Sequence, residues 1–447
     1  MEGFLIAVVS MVVVLGFMIL IHEFGHFAAA KVFGVRVHVF SIGFGKRLVG
    51  FRRGDTDYRI SALPLGGYVK MAGENPLEAR TGATDEFMSH PRWQRFVIAI
   101  AGPAMNILLA IGLLTVVFMV HYERPDFFDK PAVIGWVLDN SPAAKAGIEQ
   151  GDRIVRIDGE KNPTWEDVLL KVMISPKEPV NLAIQRGNQI IGKQVKPEPE
   201  SADDYGSVGW EPEQPIIVAE LEPDMPAIKA GVQVNDRIVA INGMAIRSRL
   251  AIRHYLQESG GKPVELTILR DGKELHLSIV PVHKQEKGEN GYWLGFLMSG
   301  PPMKVGKLSF PKAFEQSLQE NKRYSVLIVD LVGKMLHNEA SIKQMEGPIG
   351  IARATGEAAR EPGWTPLLGL TAMISLNLGI FNLLPIPILD GGVILLLAIE
   401  GVMRREINIR VKERIYQTAF VFLLLFAAVV IYNDIMRALP GLAQRMP

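Results

Sequence analysis

The residues with the clearest capacity for chemistry are His22, Glu23 and His26 in the stretch Ile21-His22-Glu23-Phe24-Gly25-His26-Phe27, an HExxH pattern. Two histidines four positions apart share one face of an α-helix, about 6 Å apart along its axis, a separation that one metal ion can bridge. Neutral imidazole nitrogens suit zinc. Glu23 lies next to that face and can take a proton from a water activated by the ion, so the pattern points to metal-assisted hydrolysis. A His-x-x-x-His pair by itself is more often a surface accident or a satisfied core pair. Here it follows Gly3 to Ile21, a run without a single charge, and ionisable groups at membrane depth are costly and by default functional.

A second chemical stretch is Asn382-Leu383-Leu384-Pro385-Ile386-Pro387-Ile388-Leu389-Asp390-Gly391-Gly392. Two prolines two apart cannot continue a regular helix, and Asp390 opens a further apolar run, Val393 to Met403. A carboxylate at membrane depth beside a broken helix needs a charged partner. Asp390 is therefore the third expected zinc ligand, which leaves a fourth position for water; a helix cap at Asp390 is the alternative. Gly102-Pro103-Ala104-Met105-Asn106 reads equally as a helix-packing notch or as part of the site. His38 and His90 each stand alone and read as structural.

These residues must be positioned by membrane-spanning elements. Gly3 to Ile21 is long enough to cross a hydrocarbon core of roughly 30 Å, and it lacks the basic start of a signal peptide, so a retained anchor is expected. Phe96 to Val120 is a second uncharged run and Leu367 to Leu384 a third, and Ile415 to Ile435, bracketed by Glu413 and Arg437, is the last span. Between the first two, Val35 to Phe40 and Tyr58 to Leu63 alternate with period two and are followed by glycines, which predicts strands and bends. Lys31 to Arg95 carries eleven Lys and Arg against six Asp and Glu, and Arg404 to Arg414 carries five basic residues. Both segments then mark the cytoplasmic side. This topology puts both termini outside and brings the HExxH and Asp390 to the same depth. Overall charge is only +1, from 48 basic and 47 acidic residues that are interleaved, which gives no case for nucleic acid. With no cysteine there is no disulfide framework and no thiolate ligand or nucleophile.

The soluble middle contains a repeat. Pro142 to Gly159 returns 84 residues later as Pro226 to Gly243, with eleven of eighteen positions identical. Each copy offers a short helix after the proline, a strand at Arg-Ile-Val, a tight Asp-Gly or Asn-Gly turn and a later edge-like strand ending in a turn at Arg186-Gly187 or Asp271-Gly272. The pattern resembles tandem PDZ domains, modules that capture an extended peptide by strand addition. Lys196 to Glu213 reads as their connection. Pro311 to Leu336 has apolar residues at helical spacing but too many charges for a simple span, so an amphipathic helix at the membrane surface is expected, with packing against the PDZ-like pair as the alternative.

The predicted architecture is a polytopic α-helical membrane protein with four transmembrane helices, a membrane-associated β-element and two inserted PDZ-like α+β domains. Its segments are a first span with the HExxH (1–33), a cytoplasmic-side loop with β-hairpins (34–95), a second span (96–122), the PDZ-like domains (127–210 and 214–285), an outer amphipathic region (301–362), a broken third span with the Leu-Asp-Gly motif (366–403), a cytoplasmic loop (404–414) and a fourth span (415–437).

HEFGH, GPAMN, the PDZ-like pair and NLLPIPILDGG, in this order, resemble the site-2 protease family of intramembrane zinc metalloproteases along essentially the whole chain. The resemblance implies zinc held by His22, His26 and Asp390, with Glu23 as general base and later proton donor. It further implies that Asn382 and Pro387 handle substrate beside the ligands, and that the strands around Val35–Phe40 and Tyr58–Met71 accept an unwound substrate on their edge. The implied substrates are single-span membrane proteins already trimmed outside the membrane, such as an anti-sigma factor, and remnant signal peptides, in a bacterial inner membrane with the PDZ-like pair on the periplasmic side. The PDZ-like pair would act as a filter against bulky ectodomains or as a receptor for a new C-terminus. A catalytically idle scaffold is disfavoured by the presence of both Glu23 and Asp390. A metal transporter is disfavoured because only one span is clearly broken and the repeat is in the soluble part.

Overall fold

The computed structural model describes residues 2–74, 82–200, 205–286, 289–337 and 346–438. Parts of the expected 34–95 loop, of the 196–213 connection and of the 301–362 region lie outside these. The chain forms two compact units: residues 1–122, 306–333 and 345–447 in the first, and 123–305 with 334–344 in the second.

In the first unit the uncharged N-terminal run continues without a break through the HExxH as α1 (Glu2–Val32). β1 (Val37–Arg53) and β2 (Thr56–Met71) then form a long, twice-folded hairpin. Ser41 pairs with Tyr68 on one side and Arg59 on the other, while Arg47 to Arg53 pair with 56–61. Residues 47–53 and 67–71 are therefore the two edges of a small sheet. Val35, Val37, Val69 and Met71 pack beneath it with Ala30 and Ile98, so the hairpin is seated on α1 and on α2 (Arg92–Val120). α2 is the central helix of this unit, packed against α1 and against the helices Thr365–Asn382 and Asp390–Met403.

The second unit holds both repeats. The first comprises β3 (Ile134–Val137), α3 (Pro142–Lys145), β4 (Arg153–Ile157), α4 (Trp165–Met173), β5 (Val180–Arg186), β6 (Gln189–Val195) and β7 (Trp210–Pro212). The other has β8 (Ile216–Leu221), α5 (Pro226–Lys229), β9 (Arg237–Ile241), α6 (Arg249–Glu258), β10 (Val264–Arg270), β11 (Lys273–Ile279) and β12 (Phe296–Met298). Its strands lie in the order β11-β10-β9-β8-β12. The first copy follows the same path, with β6-β5-β4 joined to β3-β7 through a bridge between Val133 and Arg153. Two boundaries differ from the sequence reading. Lys196 to Glu213 is not a mere connection, because β7 pairs with β3 and Val208 is buried in the first core. The second module runs past residue 285, because β12 closes its sheet against β8 and Leu294 joins its core.

The chain then returns to the first unit. Over Phe310–Leu336 it forms α7, whose Tyr324 and Ile328 pack on a core of Ala110, Ala372, Leu376 and Ile380. Ser317 Oγ donates to the Ile111 carbonyl of α2 at 2.7 Å. Tyr324 and Ile328 of α7 thus rest on the spanning helices, while its Phe314, Leu318, Val326 and Val329 stay exposed. After α8 (Pro348–Ala358) come α9 (Thr365–Asn382), α10 (Asp390–Met403) and α11 (Ile409–Ala438). Among the described residues, four helices are long and apolar enough to cross a membrane: Gly3–Val32, Arg92–Val120, Thr365–Asn382 and Ile409–Met436.

Candidate active site and metal centre

Asp390 owes its position to the break between α9 and α10. Pro385 and Pro387 cannot extend α9. Ile388 is held at φ 93°, a left-handed value that is costly for a β-branched residue and typical of functional turns. Gly391 and Gly392 let the first turn of α10 lie against the backbone before it, where a Cβ would come within 2.2 Å of the Leu383 carbonyl oxygen and 2.3 Å of that of Ile386. The strained turn thereby places Asp390 at the head of α10, facing α1.

There it meets both histidines. His22 Nε2 lies 3.1 Å from Asp390 Oδ2, His26 Nε2 lies 3.3 Å from Asp390 Oδ1, and the two Nε2 atoms are 3.2 Å apart. Metal bonds of about 2.0–2.1 Å in a tetrahedral site put ligand atoms roughly 3.3 Å apart, close to the separation of the two imidazole nitrogens and of each from one carboxylate oxygen; one donor atom from each of the three residues lies within 4.8 Å of the others. Gly102 keeps the space clear: a Cβ there would lie 2.3 Å from His26 Nε2 and 2.9 Å from His22 Nε2. The residues fit a divalent ion, and two imidazoles with one carboxylate are a donor set suited to zinc.

The outer nitrogens of the histidines are held as well. His26 Nδ1 is 2.8 Å from the Ile98 carbonyl, and His22 Nδ1 is 3.2 Å from the side-chain amide of Asn106. Glu23, His22, His26, Asp390 and Asn382 all line one cavity of about 520 Å³, with Tyr68, Val69 and Met71 of the β2 edge along its wall. The Val69 backbone N–H donates to the Glu23 carboxylate. A strand at the edge of its sheet and a candidate proton acceptor therefore share one chamber with the candidate ligands.

The remaining residues singled out from the sequence fall as follows. Asn382 closes α9, with Nδ2 3.5 Å from His22 Nε2. Pro387 is in the turn, where its Cα backs Gly392, and it is not among the residues lining the cavity. His38 is exposed, and His90 bonds Gln94. The Ile98 carbonyl and the Val69 N–H were not foreseeable, since backbone groups carry no residue identity. The only signal for Gly102 was a Gly-Pro pair inside an apolar run.

The model of peptidase family M50 matches residues 10–426. The chain belongs to this family. It is 34% identical to the regulator of sigma-E protease RseP of Escherichia coli K12, over 98% of this chain and 100% of that one. Identity is also 34% to the regulator of sigma E protease of Salmonella typhi, over 96% and 98% of the two chains, and 32% to that of Haemophilus influenzae, over 97% and 100%. The PDZ domain of an SdrC-like protein from Listeria monocytogenes aligns at 21% identity and a TM-score of 0.17, over 19% of this chain and 85% of that domain. As an M50 peptidase the chain is a zinc metalloprotease of the site-2 protease family.

Proposed function

We propose that this M50 peptidase hydrolyses a peptide bond within the transmembrane segment of single-span membrane proteins. The observation that carries the reading is the cavity in which Glu23, the His22–His26–Asp390 cluster and a strand edge stand together among helices apolar enough to span a bilayer. A transmembrane helix hides its carbonyls in its own hydrogen bonds, so it must be unwound before it can be cut, and the 67–71 edge can take over the freed backbone groups. In this reading His22, His26 and Asp390 hold zinc, which when bound supplies a Lewis acid that polarises the scissile carbonyl and acidifies the attacking water. Glu23 accepts the proton of that water and returns it to the leaving amine. Asn382 donates to the substrate backbone from beside His22, while Pro387 shapes the turn that carries Asp390.

The names of the relatives support a role in sigma-E regulation. In this reading the protein serves envelope stress signalling in a bacterial inner membrane, with an anti-sigma-factor-like substrate after a first cut and remnant signal peptides as further substrates. The basic flanks of the spans support an active site near the cytoplasmic side, with both termini and the two PDZ-like modules in the periplasm. There the modules either exclude substrates with bulky ectodomains or receive a newly exposed C-terminus. The test is the purified protein in detergent, its zinc content, and cleavage of a single-span peptide by it and by Glu23→Gln. One zinc per chain with cleavage only by the unsubstituted protein supports the reading. Cleavage by both proteins removes Glu23 from the mechanism, and zinc binding without cleavage of any span revives the scaffold.

A further inference from the structure

Asn106 is fully buried in α2, and its side chain poses a hydrogen-bonding problem. As placed, Nδ2 is the atom 3.2 Å from His22 Nδ1, while Oδ1 has no hydrogen-bond partner among the described residues. The two ends of an amide are nearly the same in shape, so the chemistry of the neighbour decides which end faces it. If His22 is to offer the Nε2 lone pair to a metal while neutral, its one ring proton must be on Nδ1. That nitrogen then donates, and the atom facing it must be an acceptor.

His26 shows how the same requirement is met elsewhere. Its Nδ1 faces the Ile98 carbonyl, which can only accept, so its proton is fixed on Nδ1 and Nε2 is left to ligate. Ile98, Gly102 and Asn106 are spaced four apart on α2, as His22 and His26 are on α1, so one helical face meets another. Ile98 orients His26, Gly102 clears space for the ion, and Asn106 stands opposite His22. The backbone carbonyl of Asn106 also accepts from Ser375 Oγ of α9 at 2.9 Å, which fastens this part of α2 to the third span.

We propose that Asn106 is a positioning residue for the metal centre: its Oδ1 accepts the His22 Nδ1–H and so fixes the tautomer and ring orientation in which Nε2 ligates. This inference rests on the metal reading above. In this orientation the amide presents Oδ1 to His22 in place of Nδ2, and Oδ1 gains a donor.

The test compares zinc affinity, by competition with a chromophoric chelator, for the unsubstituted protein, Asn106→Asp and Asn106→Leu, with the melting curve of each metal-free protein as a control for folding. Asp still presents an acceptor, and Leu fills similar volume with none. The expected result is affinity within about threefold of the unsubstituted protein for Asn106→Asp, and a loss of about 10–100-fold for Asn106→Leu, the usual scale for groups that orient a metal ligand. In the unsubstituted, zinc-loaded protein, 15N spectra of labelled histidine should place the His22 proton on Nδ1. Equal weakening in two folded variants overturns the inference, as does full affinity in Asn106→Leu, or a His22 proton found on Nε2. An unsubstituted protein that binds no zinc overturns the metal reading itself, and this one with it.

Discussion

Asp390 in the first unit and the pair Asp152 and Asp236 in the second are carboxylates sheltered from water, yet they are provided for in opposite ways. Each module supplies its aspartate with a cation of its own. Arg186 grips Asp152 through Nε and Nη2 at 2.7 and 2.8 Å, and Arg270 grips Asp236 at 2.6 and 2.7 Å. The Glu149 and Gln233 backbone N–H groups add one bond to each carboxylate, and the second arginine nitrogen ties the Gly147 or Gly231 carbonyl. This is a bidentate, fully paired arrangement, repeated in both copies. Asp390 faces two imidazoles and no lysine or arginine among its described ion-pair partners. A closed charge balance marks a structural aspartate; an open one, at the head of a strained turn, marks a place for an ion.

The sharpest break of this comparison is to remove each carboxylate in turn. Asp390→Ala is expected to abolish zinc binding and to lower cleavage of a single-span peptide by more than about 10³-fold, while the urea unfolding of the second unit is unchanged. Glu23→Gln separates proton transfer from metal holding. Cleavage should fall by about 10²–10⁴-fold, the usual contribution of a general base, with zinc content unaltered.

Asp152→Ala should do the reverse. The first module loses a charged, bidentate bond at a fully buried carboxylate while Arg186 keeps some access to water, so a loss of about 2 kcal/mol in its urea unfolding is expected, with zinc stoichiometry intact. A fall in zinc content in this variant would show that the two kinds of aspartate are not independent.

The second copy extends the comparison to pH. Burial pushes the Asp236 carboxyl up, but the Arg270 guanidinium and the Gln233 N–H more than offset this and hold its pKa below the usual carboxylate range. A depressed folded value means stability that is complete above the ordinary Asp value, about 4, and that is lost as pH falls through the lower folded value. The urea midpoint of the second module should therefore be flat from neutral pH down to about 5 and drop below about 4. Asp236→Asn should start lower and lose less over the same interval. A variant as steep in acid as the unsubstituted protein would assign the acid sensitivity to another group.

Much of this could be read in advance where residue type and spacing carry the information. His22 and His26 declare a helical face, Pro385 and Pro387 declare a break that leaves Asp390 at a helix start, and the two Pro-to-Gly copies align without a gap. What escaped was carried by backbone or by distant partners. The short strands β7 and β12 close their sheets through main-chain pairing far along the chain, so in the sequence the 196–213 stretch reads as a linker and the second module as ending at residue 285. The amphipathic pattern of α7 announces an apolar face without saying that Tyr324 and Ile328 rest on the core shared by α2 and α9 while Phe314 and Leu318 stay exposed. The Ile98 carbonyl and the Val69 N–H have no side-chain signature at all.

The smallest expected effect separates the two modules from each other. α4 of the first opens on a reciprocal capping box: Thr164 Oγ1 accepts from the Asp167 N–H at 3.3 Å, and the Asp167 carboxylate accepts from the Thr164 N–H at 2.9 Å. α6 of the second has only Ser248, whose Oγ accepts from the Leu250 N–H at 3.2 Å. Two otherwise orphaned donors are satisfied in the first case and one in the second. Thr164→Ala breaks both reciprocal bonds, since it removes one acceptor and frees the Asp167 side chain that returned to the cap. It should cost the first module about 1 kcal/mol in urea unfolding, half of what Asp152→Ala removes, with no change in zinc content or cleavage. A loss as large as that of Asp152→Ala would mean that the start of α4 also holds β3 and β7 in place, through Trp165 against Trp210, and that the cap serves the sheet as much as the helix.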